Sequence, residues 1–159
     1  MANFKKSNFK KEKSEFDSRN LGVDRVTRVV AGGKRFRFRV IVVVGDHKGR
    51  VGIGMGKGID VSMAIEKATN QGKKHLVNVP IIADGTIPHA IHVKFGTAVI
   101  FMRPGIKGRG IIAGGVVRPM CELAGIRDIN AKIISRSTNK VNNAKAVLKA
   151  FTTLRTEVK

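Results

Sequence analysis

The sequence predicts an α+β protein made of two small units that meet near residue 84, and three observations carry that prediction. Strand-length segments of period two, punctuated by glycine turns, fill residues 21–58. A helical stripe of small residues follows over 61–75. After a break at residues 80–86, further strands and helices end in an amphipathic helix over 140–154.

Residues 21–31 set Val23, Arg25, Thr27 and Val29 against Asp24, Val26, Arg28 and Val30, which predicts a strand. Gly32 and Gly33 are expected to supply the positive dihedral angles of a tight hairpin turn. From Lys34 a second strand puts Phe36, Phe38, Val40, Val42 and Val44 on one face and Arg35, Arg37 and Arg39 on the other. The first face is expected to meet a core and the second to meet anions. Gly45 to Gly49 forms the next turn and Arg50 to Lys57 a third strand, completing a three-stranded antiparallel meander.

The third strand carries Gly52, Gly54, Gly56 and Gly58 at period two, a bare strip that lets another backbone come close. A phosphate-binding Walker loop is excluded, because Val51 stands where its first glycine belongs and Gly58 where a magnesium-binding hydroxyl belongs. Asp60 is expected to cap a helix from Val61 to about His75, with Val61, Ala64, Ile65, Ala68 and Gly72 turned toward the glycine strip. Lys73 and Lys74 suit the carboxyl end of that helix.

The second unit is expected to run through a strand Ile87 to Phe95, a turn at Gly96 and Thr97, and a strand Ala98 to Arg103. A loop Pro104 to Gly110, a helix from about Gly114 to Ala124, a strand Asp128 to Ser135 and a helix Lys140 to Leu154 complete it. Residues 108–113 satisfy the GxGxxA pattern, and Asp128 follows at about the 20-residue spacing of a dinucleotide fingerprint. The long preceding loop and the single crossover argue against that use. Lys107, Arg109 and the amides before the helix suit phosphate of any origin, a nucleic-acid backbone included.

Thirty-one Lys and Arg against eleven Asp and Glu give the 159-residue chain a net charge of +20, which a polyanionic partner would relieve. No apolar run approaches the roughly 20 residues of a membrane-spanning helix, so no membrane partner is expected. Cys121 is alone, which forbids an intrachain disulfide and fits a reducing, cytoplasmic location. Residues 1–20 form a basic arm, expected to be flexible and to order on phosphate. His47, His75, His89, His92 and Cys121 converge on no catalytic or metal-binding arrangement, so neither an enzyme nor a cofactor or metal is expected.

The cations sit on a folded frame. Arg25, Arg28, Lys34, Arg35, Arg37, Arg39, Lys48, Arg50 and Lys57 belong to the first unit, and Arg103, Lys107, Arg109, Arg118 and Arg136 to the second. With no Tyr and no Trp, recognition of RNA through its backbone and shape is expected over base reading.

The run RVTRVVAGGKRFRFRVIVVVGDHKGRVGIGMGKG, followed in order by GTIPHAIHVKFG, GIIAGG, ELAGIRD and STN, resembles small-subunit ribosomal protein five of bacterial type over about Val23 to Leu154. The resemblance implies a double-stranded-RNA-binding-like domain over 21–84, with an antiparallel sheet and one helix. It implies a carboxyl-terminal α+β domain over 85–159 with a left-handed strand-helix-strand crossover. It further implies a monomer within the ribosome, bound to small-subunit ribosomal RNA beside small-subunit proteins four and eight. There it would support assembly and accuracy near the messenger entry path. Thr27, Arg28, Val29, Gly32, Gly33 and Lys34 become a sensitive hairpin loop, with Thr27 among the RNA contacts, and Arg103 and Arg118 become candidates for protein contacts. Two other readings remain, a free regulatory RNA-binding module and a nucleotide-using enzyme at the residue 108–115 loop.

Overall fold

The computed structural model describes residues 15–155, so the first fourteen residues of the expected arm lie outside the described residues. Strands β1 (Asp17–Val30), β2 (Gly33–Gly45) and β3 (Arg50–Gly58) form a meander, helix α1 (Val61–Lys74) crosses it, and β4 (Leu76–Asn78) returns to pair with β3. This sheet is antiparallel with order β1-β2-β3-β4. A second sheet of order β5-β6-β8-β7 contains β5 (Ile91–Phe95), β6 (Ala98–Pro104), β7 (Ile111–Ile112) and β8 (Ile129–Ile133). Helices α2 (Val117–Ala124) and α3 (Lys140–Thr153) belong to this unit. Because β7 and β8 are parallel neighbours, β7-α2-β8 is a strand-helix-strand crossover.

Several boundaries differ from the sequence expectation. Strand β1 begins at Asp17 rather than residue 21, because Asp17 to Asn20 pair with Gly45 to Val42 past an irregularity at Leu21. The last residues assigned to the arm are therefore strand. The expected meander gains a fourth strand, since Leu76 to Asn78 pair with Gly52 to Arg50 before Pro80 removes the next donor. The hairpin loop is Ala31-Gly32, because Val30 and Gly33 already pair, and Gly33 alone has the positive φ, +134°. Residues 87–90 are not strand; Ile87 is instead buried as a plug in the loop. Helix α2 starts at Val117, and the loop before it contains the short β7. Asp60 occupies the N-cap position of α1, but its side chain makes no cap bond and its carbonyl accepts from the Ala64 amide.

Strand β2 explains why the two units pack together. Val40, Val42 and Val44 face α1, where Ala64 and Ala68 complete a small core. Val43 points the other way and, with Val51 of β3, joins the core of the second unit around Ile100, Met102, Met120, Ile129, Val147 and Phe151. The unbroken run Val40 to Val44 is thus buried on both faces. The glycine strip of β3 does what the sequence implies: a Cβ on Gly54 would overlap the Ala68 carbonyl oxygen and lie 2.6 Å from the Gly72 nitrogen. Helix and strand meet backbone to backbone.

A hydrogen-bonded joint adds to this packing. The turn between β2 and β3 delivers the His47 amide to Leu123 O (2.9 Å), the Gly49 amide to Ala124 O (2.9 Å) and His47 Nδ1 to Glu122 O (2.8 Å). One unit therefore satisfies the terminal carbonyls of a helix in the other. Cys121 lies inside α2, where burial, with a smaller push from the Glu122 charge, drives its thiol up to about 12; it is an inert core residue.

Candidate nucleic-acid interface

The β1-β2 hairpin outruns the helix beneath it. Helix α1 covers Val40, Val42 and Val44, but past the pair Phe38 and Gly58 the two strands continue with exposed side chains on both faces. Phe36, expected on a core face, is 44% exposed because no helix reaches it. Phe38 is only half-buried.

Register concentrates charge on one face of this ribbon. Arg28 pairs with Arg35, Val26 with Arg37 and Asp24 with Arg39, and Lys57 of β3 lies across from Arg39. Val26, Thr27, Arg28, Val30, Arg35, Arg37 and Lys57 line a shallow groove. Like charges directly opposite each other destabilise a hairpin, so an anion is the natural complement of Arg28 and Arg35. Arg28, Arg35, Arg37 and Lys57 have no ion pair among the described residues. Arg39 differs, since its Nη2 sits 2.7 Å from Asp24 Oδ2. Further down the same face Ile41 and Val43 are buried, so the expected anion-facing side is cationic only toward the hairpin tip. On the opposite face Arg25 lies over the Phe36 ring, 3.7 Å from its centroid, and Lys34 is exposed.

Other predicted cations are dispersed. Arg50 bonds Asp46 (Nε to Oδ2, 2.6 Å) and approaches Glu15, which gives it a structural role. Arg118 pairs with Glu122 at 3.0 Å, and the same carboxylate holds Arg19 at 2.7 Å. Lys48 is exposed in the β2-β3 turn, and Arg136 in the segment before α3. Lys107 is exposed in the loop after β6, and Arg103 and Arg109 flank a shallow depression with Pro104, Ile106 and Asn130.

The glycine loop is committed to its own chain. Asp128 accepts hydrogen bonds from the Gly108 amide (3.1 Å) and the Gly110 amide (2.6 Å), the two glycines of the loop that fit the dinucleotide pattern. The acid at the fingerprint spacing therefore braces the loop, which removes the basis for a dinucleotide there. Asp46 plays the same part in the β2-β3 turn, accepting from the Lys48 amide (2.8 Å), the Arg50 amide (3.0 Å) and Arg50 Nε. Sequence reasoning missed both roles; an aspartate opening a turn that ends in glycine was the available signal for Asp46.

Both carboxyls titrate below the ordinary value of 3.8. For Asp128 the Gly110 and Gly108 amides are the main cause. For Asp46 burial pushes upward, but the Arg50 hydrogen bond and charge and the two turn amides outweigh it. The native state thus holds fewer protons than the unfolded chain. Its gain is complete above the unfolded value and drains as pH falls below 3.8 through the folded values. Urea midpoints are expected to stay level down to about pH 5 and then drop. A double Asp46→Asn, Asp128→Asn variant should be less stable near neutrality and show a flatter acid limb.

Among the described residues no group of His, Cys, Asp and Glu could hold a metal ion, and no helix is long and apolar enough to cross a membrane. Two family models match the chain, "Ribosomal protein S5, N-terminal domain" over residues 16–80 and "Ribosomal protein S5, C-terminal domain" over residues 93–158. Small ribosomal subunit protein uS5 of Trichormus variabilis is 48% identical over 147 residues, covering 92% of this chain and 84% of that protein. Small ribosomal subunit protein uS5c of Porphyra purpurea is 48% identical over 157 residues, covering 98% and 90%. The uS5c of Rhodomonas salina is 46% identical over 157 residues, covering 98% and 93%.

Proposed function

Because the chain belongs to the ribosomal protein S5 family, and is thus a structural, non-enzymatic constituent of the small ribosomal subunit, we propose that its projecting β1-β2 ribbon is the principal ribosomal-RNA contact. The observation that carries this reading is the run of cations Arg28, Arg35, Arg37 and Lys57 along one groove, without ion pairs among the described residues, the three arginines on a part of the sheet that the helix does not cover. Arginine forks suit phosphate, and a two-stranded ribbon free of the globule can enter a fold of RNA. Thr27 and Arg39 extend this surface, Arg25 and Lys34 add contacts from the other face of the ribbon, and Lys48, Lys107, Arg109 and Arg136 supply outlying phosphate contacts.

The tip, Thr27 to Lys34, is the sensitive loop in this reading, since Ala31 and Gly32 turn the ribbon in free space. Arg103 and Arg118 on the second unit serve contacts with neighbouring small-subunit proteins, of which proteins four and eight are the proposed ones. Support of assembly and decoding accuracy beside the messenger entry path belongs to the same proposal, as does the division into domains near residue 84. The Asp128 brace on the glycine loop favours this reading over a nucleotide-using enzyme.

The deciding experiment replaces Arg28, Arg35 and Arg37 together by alanine in the full chain. Affinity for small-subunit ribosomal RNA is expected to fall about 100-fold, and the slope of log affinity against log salt to shrink by about 2–3. The thermal transition should stay put, because these side chains are exposed and lack ion pairs among the described residues. Unchanged affinity, or equal binding of an unrelated duplex at matched salt by the unmodified chain, would count decisively against the ribbon.

A further inference from the structure

The ribbon has a second exposed face that phosphate binding does not explain, and on it we infer that Phe36 and Arg25 form a stacking platform for one unpaired nucleobase of the bound RNA. The inference rests on the RNA-binding reading above and specifies what that site takes. Phe36 is the most exposed phenylalanine among the described residues, at 44%, and it stands beyond the reach of α1, so the core does not require it there. On its own face its inner neighbour is the half-buried Phe38, its outer neighbour is Lys34 and its directly opposite partner is Thr27, so the ring stands at the open end of the apolar face, where nothing covers it among the described residues.

Arg25 Cζ lies over the ring, 3.7 Å from its centroid, which places a guanidinium cation on an aromatic face. An aromatic ring and a guanidinium are the two surfaces on which RNA-binding proteins stack unpaired bases. A base can add to the outer side of the guanidinium or replace it on the ring. Lys34 shares this face of β2 two residues away, about 7 Å along a strand, within a nucleotide's span of its own phosphate. The register puts Lys34 on the tip side of Phe36 and Arg25 on its other side, so a nucleotide laid along this face can meet a cation with its phosphate and the ring or the guanidinium with its base. The absence of Tyr and Trp argues for pure shape recognition from sequence alone; the geometry supplies a platform built from Phe and Arg instead.

The test uses full-length chain, small-subunit ribosomal RNA as the probe, and a salt series. Phe36→Leu keeps apolar bulk without a π face, Phe36→Tyr keeps the face, and Arg25→Lys keeps charge without the plane. Phe36→Leu is expected to weaken binding about tenfold at every salt concentration with an unchanged salt slope, whereas Phe36→Tyr binds as the parent does. Arg25→Lys should weaken binding by a smaller factor, again with no change of slope. Thermal unfolding of each variant checks that the fold is kept. Parent-like binding by Phe36→Leu would overturn the platform and leave the phosphate face standing. Equal losses in Phe36→Leu and Phe36→Tyr would assign the effect to packing and overturn it too. If the unmodified chain shows no salt-dependent binding to the RNA, the underlying reading fails and the platform with it.

Discussion

Gly54→Val is expected to leave the first sheet without its helix, and even Gly54→Ala should cost about 3–5 kcal/mol. The position has no room in any direction that matters. A Cβ there would overlap the Ala68 carbonyl oxygen and stand 2.6 Å from the Gly72 amide nitrogen, and both obstacles are backbone. A flexible side chain could rotate away, but a helix can only lift off. Lifting α1 uncovers Val40, Val42 and Val44, each worth about 1.5–3 kcal/mol when fully buried. Set against a total stability of roughly 5–15 kcal/mol, that loss is most of what the protein has. Urea unfolding followed by circular dichroism measures it, and a Gly54→Ala variant within 1 kcal/mol of the parent, about the typical cost of a point mutation, would refute the tight contact. Gly32→Ala is the matching control, since nothing lies within 4 Å of a Cβ there.

Gly125→Ala should uncouple the two units. Gly125 ends α2 at φ +86°, a left-handed conformation that costs a side-chain-bearing residue about 1–2 kcal/mol. A Cβ there would also overlap the carbonyl oxygen of His47, in the turn that caps α2. Relief of that overlap pulls His47 and Gly49 away from Leu123 O and Ala124 O. The combined loss is about 3 kcal/mol, concentrated at the joint. The parent is expected to melt in one transition because Val43 and Val51 belong to the second unit's core. The variant should melt in two steps, read by calorimetry and by earlier protease cleavage between residues 79 and 90. A single unshifted transition would show that the joint contributes little.

The parts legible in the sequence were those encoded in local pattern. Glycines at period two opposite a helix stripe of Ala64, Ala68 and Gly72 announce a backbone-to-backbone contact wherever they occur. The alternation of β2 gave its two faces correctly but not where their cover ends. Phe36 and Val42 look alike in pattern, and only the length and position of α1 separate an exposed ring from a buried valine. The five consecutive apolar residues Val40 to Val44 did carry a signal that alternation hides, since a run without polar interruption is buried on both sides. Arg39, Arg50 and Arg118 counted as free charges on sequence grounds, yet each found an acid: Arg50 and Arg118 pair at i,i+4 spacing with Asp46 and Glu122, a signal that local pattern does carry, whereas Arg39 meets Asp24 across the strands, where only the register brings them together. Asp128 shows the converse: a spacing that fits a ribose ligand also fits a brace for a glycine loop, and geometry decides between them.

The two-sided burial of β2 also bears on how the protein is made. Residues 17–78, with the whole first sheet, leave the ribosome's exit tunnel before α2 and β8 have emerged from it. During that interval α1 can already sit on Val40, Val42 and Val44, but Val43 and Val51 have nothing to cover them. A newborn chain therefore carries a bare apolar strip beside a row of arginines, able to attract both other nascent sheets and stray RNA. It stays in that state until about fifty more residues have emerged, at 5–20 residues per second an interval of roughly 2.5–10 s. The protein's most hazardous moment precedes its completion, and the length of that moment is written into the order of its elements along the chain.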